Sequence, residues 1–535
     1  MTDIDGQRKT FGMVLIEMMA SYGINTVFGI PGTHTIELYR GLAASDMRHI
    51  TPRHEQGAGF MADGYARVTG KPAACITVSG PGAMNIATAM GQALLDSIPM
   101  LVISADNATH ELDLGEGRLH ETPNLQQAMR QCSRWTYTMM RPDEIPKVMA
   151  RAFSIFNSER PGPVHLTIPQ DVMSADATHV AAKTWNLPAR PSASAAALEA
   201  AADLLDNART PVIALGGGAA DASELARQFA ERVDAPVTLT HNAKGILPRD
   251  HSLYVRSSPS FKPVRQLYAE ADVIVGIGTE FAETDYDFFL DGQFSLGKAR
   301  LIRIDIDATQ LTRNTPSTVA IHADAGYALK NLLPLCQAAD RKGAERTARV
   351  NSQLQTLHSP DYQHFLDSIQ QALPGAVVIG DSTQPVYFAA AQYHSPAPRS
   401  FASSATGYGT LGYGLPAALG AKVGKPDRPV VCLAGDGGIQ FTLNELATAV
   451  EAGLPVAVVI WINQGYSMIA SEFRKAGMKP MACDIFIPDF LTIAKGYGCP
   501  ACRVTNCDEF KIALKRSQEQ SVPSIIEVLE QDFIS

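Results

Sequence analysis

Cysteine is scarce. Eight in 535 residues are too few for a disulfide framework, and most, such as Cys75 and Cys432, sit in strand-like apolar runs as core thiols. Cys499-Pro-Ala-Cys502, with Cys507 nearby, has redox or half-metal spacing. No second CxxC or histidine pair completes a zinc site and no thioredoxin-like βαβ pattern surrounds it, so no chemistry is assigned there. Basic charge is also wanting: 45 Lys and Arg against 54 Asp and Glu leave a formal charge of −9. That excludes the basic field that draws nucleic acid or anionic lipid. Long apolar runs are missing too. The longest, 454–462, is about half of the roughly 20 residues that span a bilayer and reads as a buried strand. The opening MTDIDGQRKTFGMVLIEMMASYG puts acids before its first apolar run, unlike a signal peptide. The expectation is a cytoplasmic protein with neither a nucleic-acid nor a membrane partner.

What is present describes an ordinary globular enzyme. Hydrophobic residues make up 46% and charged residues 19%, with 42 Gly and 33 Pro spread as turn signals. The length allows roughly three or four domains. A first block, 1–180, alternates helical periodicity (10–21, 33–44, 84–95) with strand-like runs (26–29, 73–78, 99–104, 164–168), the pattern of a mostly parallel sheet covered on both faces. AAKTWNLPARPSASAAAL follows as a linker. A second block, 196–338, predicts strands at 211–215, 236–240, 273–277 and 301–306. The polar stretch 339–358 separates it from a third block, 359–535, with strands at 376–379, 429–433, 455–462 and 524–529. The fold class is α/β: three doubly wound domains.

Gly216-Gly217-Gly218 follows a strand but lacks the full dinucleotide-binding spacing, and reads as a structural turn. The third block is sharper. A strand runs into Gly435-Asp436-Gly437-Gly438, and the next strand ends at Asn463-Gln464-Gly465. Two neighbouring strand ends thus present a carboxylate and a carboxamide at one rim, the oxygen donors a hard cation such as Mg²⁺ takes alongside phosphate and water. The glycines let the backbone approach that phosphate.

Gly-Asp-Gly followed some 25 residues later by Asn resembles the metal motif of the thiamine diphosphate enzymes. The resemblance extends over essentially the whole chain, through Arg53-His54-Glu55-Gln56-Gly57-Ala58, Gly29-Ile30-Pro31-Gly32-Thr33, Ser79-Gly80-Pro81-Gly82-Ala83-Met84-Asn85 and Gly407-Tyr408-Gly409-Thr410-Leu411-Gly412. It implies the thiamine diphosphate-binding fold with pyrimidine-binding, central and diphosphate-binding domains. It implies Mg²⁺ held by Asp436, Asn463 and the Gly465 carbonyl, and a cofactor site formed by Pro31, Glu55, Gly409, Leu411, Gly435, Asp436, Gly437, Gly438, Asn463 and Gly465. Leu411 would be the apolar wedge beneath a bent cofactor, although a plain core leucine is also compatible. Glu55 would hydrogen-bond the aminopyrimidine and favour the imino tautomer that forms the ylid, and is expected to be buried. The family's cofactor bridges two chains, so the expected partner is a second copy: a homodimer at least, and a homotetramer as a dimer of dimers.

Within the pyruvate oxidase, acetolactate synthase and 2-oxo acid decarboxylase superfamily, three departures from the synthases stand out. Leu253-Tyr254-Val255-Arg256 and Gly278-Thr279-Glu280-Phe281-Ala282-Glu283 replace their FAD-associated segments, so FAD is not expected. Leu119-His120-Glu121 replaces Phe-Gln-Glu and puts an imidazole where an amide usually sits. His120 is therefore a candidate proton donor, with a hydrogen-bonded structural histidine as the alternative. Glu472 aligns approximately with the synthases' pocket Trp. The segment GTEFAETDYDFF adds Glu283 and Asp285 with their neighbours Glu280 and Asp287, either a solvated loop or acids facing a cationic substrate tail. Thr33 is a further substrate candidate. The wording is most similar to the 2-ketoarginine (5-guanidino-2-oxopentanoate) decarboxylase branch. It implies non-oxidative decarboxylation of a 2-oxo acid to CO₂ and an aldehyde through an enamine, with a carboligase as the alternative outcome.

Overall fold

The computed structural model describes residues 8–288, 291–292 and 294–534; residues 1–7 of the N-terminal reading and Phe289 of the acidic segment lie outside the described residues. Six strands, β1 (Thr26–Gly29), β2 (Arg48–Ile50), β3 (Ala73–Thr77), β4 (Met100–Asp106), β5 (Trp135–Thr138) and β6 (Pro163–Pro169), form a sheet in the order β2-β1-β3-β4-β6-β5. Five more, β7 (Val212–Leu215), β8 (Val237–Leu239), β9 (Val273–Ile277), β10 (Arg300–Asp305) and β11 (Val319–His322), pair as β11-β10-β9-β7-β8. The third sheet joins β12 (Val377–Gly380), β13 (Phe401–Ser403), β14 (Val430–Gly435), β15 (Ala457–Ile462), β16 (Ala501–Val504) and β17 (Ser524–Leu529) as β13-β12-β14-β15-β17-β16. All these pairings are parallel, as in β14–β15, where Gly435 stands opposite Trp461. The central strands are buried along their length, which is why they read as continuous apolar runs rather than alternating ones. The expected α/β class with three parallel sheets is the architecture found.

The polar stretch 339–358 is not a connector. It holds the helix Gly343–Leu354, capped by the left-handed Lys342, and buries Val350 and Leu354 among Val212, Val264 and Leu267 of the central core. Its apolar residues recur too sparsely to outweigh the surrounding Lys, Arg, Gln and Ser in the sequence. At Gly216–Gly218 the turn packs against Gly278, with the Gly218 N–H donating to its carbonyl (3.2 Å).

The chain divides into two compact units. One comprises Met1–Ala189 with Leu415–Pro426 and Thr442–Leu454; the other comprises Arg190–Gly414, Asp427–Phe441 and Pro455–Ser535. In the first, the helices Glu55–Thr69 and Gly414–Gly424 meet backbone to backbone. A Cβ on Gly64 would overlap the Ala417 carbonyl, and one on Gly420 the Met61 carbonyl. Only hydrogen at both positions allows that approach.

Candidate active site

In the second unit, the adjacent strands β12, β14 and β15 release Asp381, Asp436 and Asn463 at one edge of their sheet. That edge, the carboxyl end of a parallel sheet, is where ligands bind in open α/β folds. Asp436 is buried, and its Oδ2 accepts the backbone N–H groups of Asn463 (3.0 Å), Gln464 (2.8 Å) and Gly465 (3.3 Å). Burial pushes its carboxyl above the usual range despite those donors. Left-handed backbone at Gln464 (φ 67°) and Gly465 (φ 117°) turns the three N–H groups inward. At Gly465 a side chain would also collide with the Cys483 carbonyl.

Asn463 donates its amide nitrogen to Ser467 Oγ (2.7 Å) and Glu530 Oε2 (3.4 Å). The atom it can offer a cation is therefore its oxygen. With the Asp436 carboxylate and the Gly465 carbonyl the donor set is all oxygen, which suits a hard divalent ion. Among the described residues no three His, Cys, Asp or Glu stand together as a metal cluster, so a cation here needs amide, main-chain and phosphate oxygens. Of the Cys499–Cys502 pair, Cys499 is buried, and burial pushes its thiol up to about 11, while Cys502 is exposed.

The loop after β14 lies against Thr383 and Asp381: a Cβ on Gly435 would stand 2.9 Å from Thr383 Oγ1, and one on Gly438 3.1 Å from Asp381 Oδ1. Gly437 abuts the Tyr466 ring. Asp381 was not singled out by the sequence, because one aspartate after a four-residue strand carries no spacing signal. It accepts the N–H groups of Ser382 (2.8 Å) and Gly414 (3.0 Å), and burial pushes it up to about 6. Gly409 (φ 67°) and the half-buried Leu411 sit on the loop leading to that contact. Leu411 is not among the fully buried core residues of this unit.

In the first unit, Glu55 opens the helix Glu55–Thr69, half-buried where full burial was expected, and its Oε2 accepts the Asn85 amide (2.9 Å). The preceding turn is pinned by Glu445, buried and unflagged by the sequence: both its carboxylate oxygens accept the Arg53 N–H (3.1 Å each), and Oε2 accepts Thr448 Oγ1 (2.6 Å). Pro31 and Thr33 are exposed at the turn after β1. Beside them His34, another residue the sequence reading passed over, is buried and meets His120 edge to face with ring centroids 5.2 Å apart. Both Nδ1 atoms are buried without a partner, and burial, then His120, holds the His34 imidazole below its usual pKa. His120 has φ 58°, and its backbone packs on Gly80. Neighbouring Glu121 folds the loop itself, accepting the N–H groups of Gly115 (2.7 Å), Glu116 (3.3 Å), Gly117 (2.7 Å) and Arg118 (2.9 Å).

The acids expected around a substrate separate. Glu472 is exposed and ion-paired with Lys475 (2.7 Å), one turn along its own helix. Glu283 is exposed as well, and Asp287 pairs with Arg265 (2.8 Å). Asp285 is half-buried, accepts the His241 N–H (2.8 Å) and lines a cavity of about 200 Å³ with His241, Tyr387, Phe388 and Met468.

Models of three domains match the chain: the N-terminal binding domain of thiamine pyrophosphate enzymes over residues 9–132, their central domain over 198–332 and their C-terminal binding domain over 381–528. A probable 2-ketoarginine decarboxylase of Pseudomonas aeruginosa is 42% identical over 528 residues, 97% of this chain and 94% of the relative. The chain belongs to the thiamine pyrophosphate enzymes. This thiamine pyrophosphate (diphosphate) enzyme is also 32% identical to the acetolactate synthase isozyme 1 large subunit of Escherichia coli, over 98% of the chain and 94% of the relative. In fold it matches a thiamine diphosphate-dependent 4-hydroxybenzoylformate decarboxylase of Rhodococcus jostii RHA1 with a TM-score of 0.83 at 23% identity, covering 97% of this chain and 99% of that one. In this enzyme the buried carboxylate, committed amide and glycine-bordered turn at the edge of the third sheet suit a metal-bound diphosphate. The Glu55–Asn85 pair suits a polar heterocycle.

Proposed function

We propose that the enzyme decarboxylates a 2-oxo acid with a cationic tail, 5-guanidino-2-oxopentanoate, releasing CO₂ and the aldehyde one carbon shorter. The observation that carries this reading is the end-to-end likeness, at 42% identity, to the probable 2-ketoarginine decarboxylase. The chain's own chemistry is consistent with it. Bound thiamine diphosphate supplies a carbon nucleophile that accepts the electron pair left when CO₂ departs. Glu55, oriented by Asn85, would exchange a proton with the aminopyrimidine through its carboxyl. Asp436, Asn463 and the Gly465 carbonyl would hold Mg²⁺ on the diphosphate, which Gly435, Gly437 and Gly438 would border, while Pro31, Gly409 and Leu411 would shape the rest of the cofactor site. The product needs one proton in place of CO₂, and His120, paired with His34, is the group read as delivering it. Thr33, exposed at the turn after β1, would be a substrate contact.

The working organisation is three domains, 1–180, 196–338 and 359–535, in a homodimer that pairs as a tetramer in the cytoplasm without FAD. Exposed Phe441 (52%), Met481 (75%) and Phe486 (83%) are the apolar surface read as meeting a second copy. No helix among the described residues is long and apolar enough to cross a membrane. The synthase relatives favour one other outcome, capture of the same activated carbon by an acceptor carbonyl.

The test is product analysis with 5-guanidino-2-oxopentanoate, its neutral ureido counterpart and pyruvate, each with and without an acceptor aldehyde. Stoichiometric CO₂ and guanidino aldehyde are expected. A hydroxy-ketone as the main product would replace this reading with the carboligase.

A further inference from the structure

The cavity beside Asp285 is walled by five segments of the second unit. The acidic turn supplies Thr284, Asp285 and Phe288; the helix Gln384–Gln392 supplies Gln384, Tyr387, Phe388 and Ala391. Their spacing of three, four and seven residues lines one helical face with an amide, two rings and a methyl group. That helix starts directly after Asp381–Thr383, the segment against which the Gly435–Gly438 loop rests. A second wall residue, Met468, is one position past Ser467, which accepts the Asn463 amide. The cavity therefore adjoins the diphosphate cradle and runs from it toward β8 of the central sheet, where Leu239 and His241 close it.

Its chemistry is lopsided. Phe261, Phe288, Tyr387 and Phe388 give the wall four rings, with those of Phe288 and Tyr387 5.9 Å apart, beside the polar Ser258, Ser260, Thr284 and Gln384. Among the described residues, Asp285 is the one carboxylate in the lining. A neutral apolar ligand would leave that carboxylate facing hydrocarbon, and an anionic one would be repelled by it. A planar cation answers both features, stacking on ring faces and donating N–H groups to the carboxylate.

We infer that this cavity receives the guanidinium tail of the 2-oxo acid, and that Asp285, rather than Glu472 or Glu283, is the carboxylate that reads it. The inference rests on the proposed function for the identity of the tail, while the cavity supplies where it goes.

The test is calorimetric binding to the holoenzyme of two probes that lack the 2-oxo group and cannot react: 4-guanidinobutanoate and neutral 4-ureidobutanoate. Wild type is expected to prefer the guanidino probe by about 10–150-fold, the worth of one charge-assisted hydrogen bond. Asp285→Asn keeps an oxygen for the His241 N–H, so it should fold, and it should erase that preference while leaving the ureido affinity unchanged. Tyr387→Leu should lower guanidino affinity several-fold through loss of a ring face. Glu472→Gln should alter neither probe. Equal affinities in wild type, or an undiminished preference in Asp285→Asn, would overturn the inference. If wild type turns over 5-guanidino-2-oxopentanoate under either of those results, only the location fails. If the probes discriminate as expected but no 2-oxo acid loses CO₂, the proposed reaction fails and the cation site stands.

Discussion

Asn85 donates its side-chain amide to Glu55 across 2.9 Å, so the one carboxylate at the rim of the first sheet with a proposed proton-exchange role has its Oε2 held from its own domain. Removing the carboxylate's charge while keeping its shape isolates that role. Glu55→Gln is expected to lower kcat by about 10²–10⁴-fold, the range for a positioned acid–base group, with an unchanged melting temperature. Hydrogen–deuterium exchange at the cofactor's thiazolium carbon should slow in parallel; exchange at the wild-type rate would remove Glu55 from the chemistry.

Stripping the metal and cofactor by chelation and dialysis should lower Tm, and adding back thiamine diphosphate with Mg²⁺ should restore it. At a hundredfold excess over Kd the stabilisation is about 2.7 kcal/mol. Asp436→Ala should lose this response, because it removes both the proposed metal ligand and the acceptor that folds the Asn463–Gly465 turn. A metal-independent response in wild type would count against the proposed cation site.

Glu445 anchors the backbone just ahead of Glu55. Glu445→Ala leaves the Arg53 N–H without its acceptor and is expected to destabilise by about 1–3 kcal/mol, with weaker cofactor binding. Glu445→Gln, which retains an acceptor oxygen, should recover most of both in thermal and calorimetric titrations.

Acid stability has a defined sign. His165, fully buried with Nε2 on Ser104 Oγ (2.8 Å), is pushed down to about 3 by burial. It stays neutral when folded, whereas the unfolded chain takes up a proton below about 6.5. Its contribution is thus intact above pH 6.5 and is lost as pH falls toward 3, at a slope approaching about 1.4 kcal/mol per pH unit. His358, pushed down to about 4 by burial, adds to the same trend. His165→Gln should flatten the acid limb of a denaturation series; an unchanged limb would show that other groups set it.

The purified enzyme should show no flavin absorbance, on the two replaced segments of the central block. A stoichiometric yellow chromophore would reverse that expectation.

Central strands were legible and most edge strands were not; the exception, the edge strand β8, is buried along its length and was read at 236–240. Runs expected at 273–277 and 524–529 coincide with β9 and β17, because strands covered on both faces must be apolar throughout. The strands that went unread, β2, β5, β11, β13 and β16, are all sheet edges. β16 exposes three of its four residues and β11 two of its four, so neither carries a continuous apolar signal. The site divided in a similar way. The Asp436–Asn463 pair announces itself by spacing, whereas Asp381, Glu445 and His34 are lone polar residues whose importance comes from burial, which a sequence does not display. The four clustered acids of 280–287 looked equivalent in one dimension; in three, Arg265 takes Asp287, solvent takes Glu283, and Asp285 turns to the cavity.

The crossing of Gly64 and Gly420 bears on recombination between relatives. Because the helix Gly414–Gly424 packs its backbone on the helix that begins with Glu55, a chimera that exchanges residues 359–535 as one cassette would carry a foreign partner onto a contact with no room for a methyl group. The seam that preserves folding runs through the third block, keeping 415–426 and 442–454 with the parent that supplies the first sheet. The order of domains along the chain is therefore a poor map of the pieces evolution or an engineer can trade.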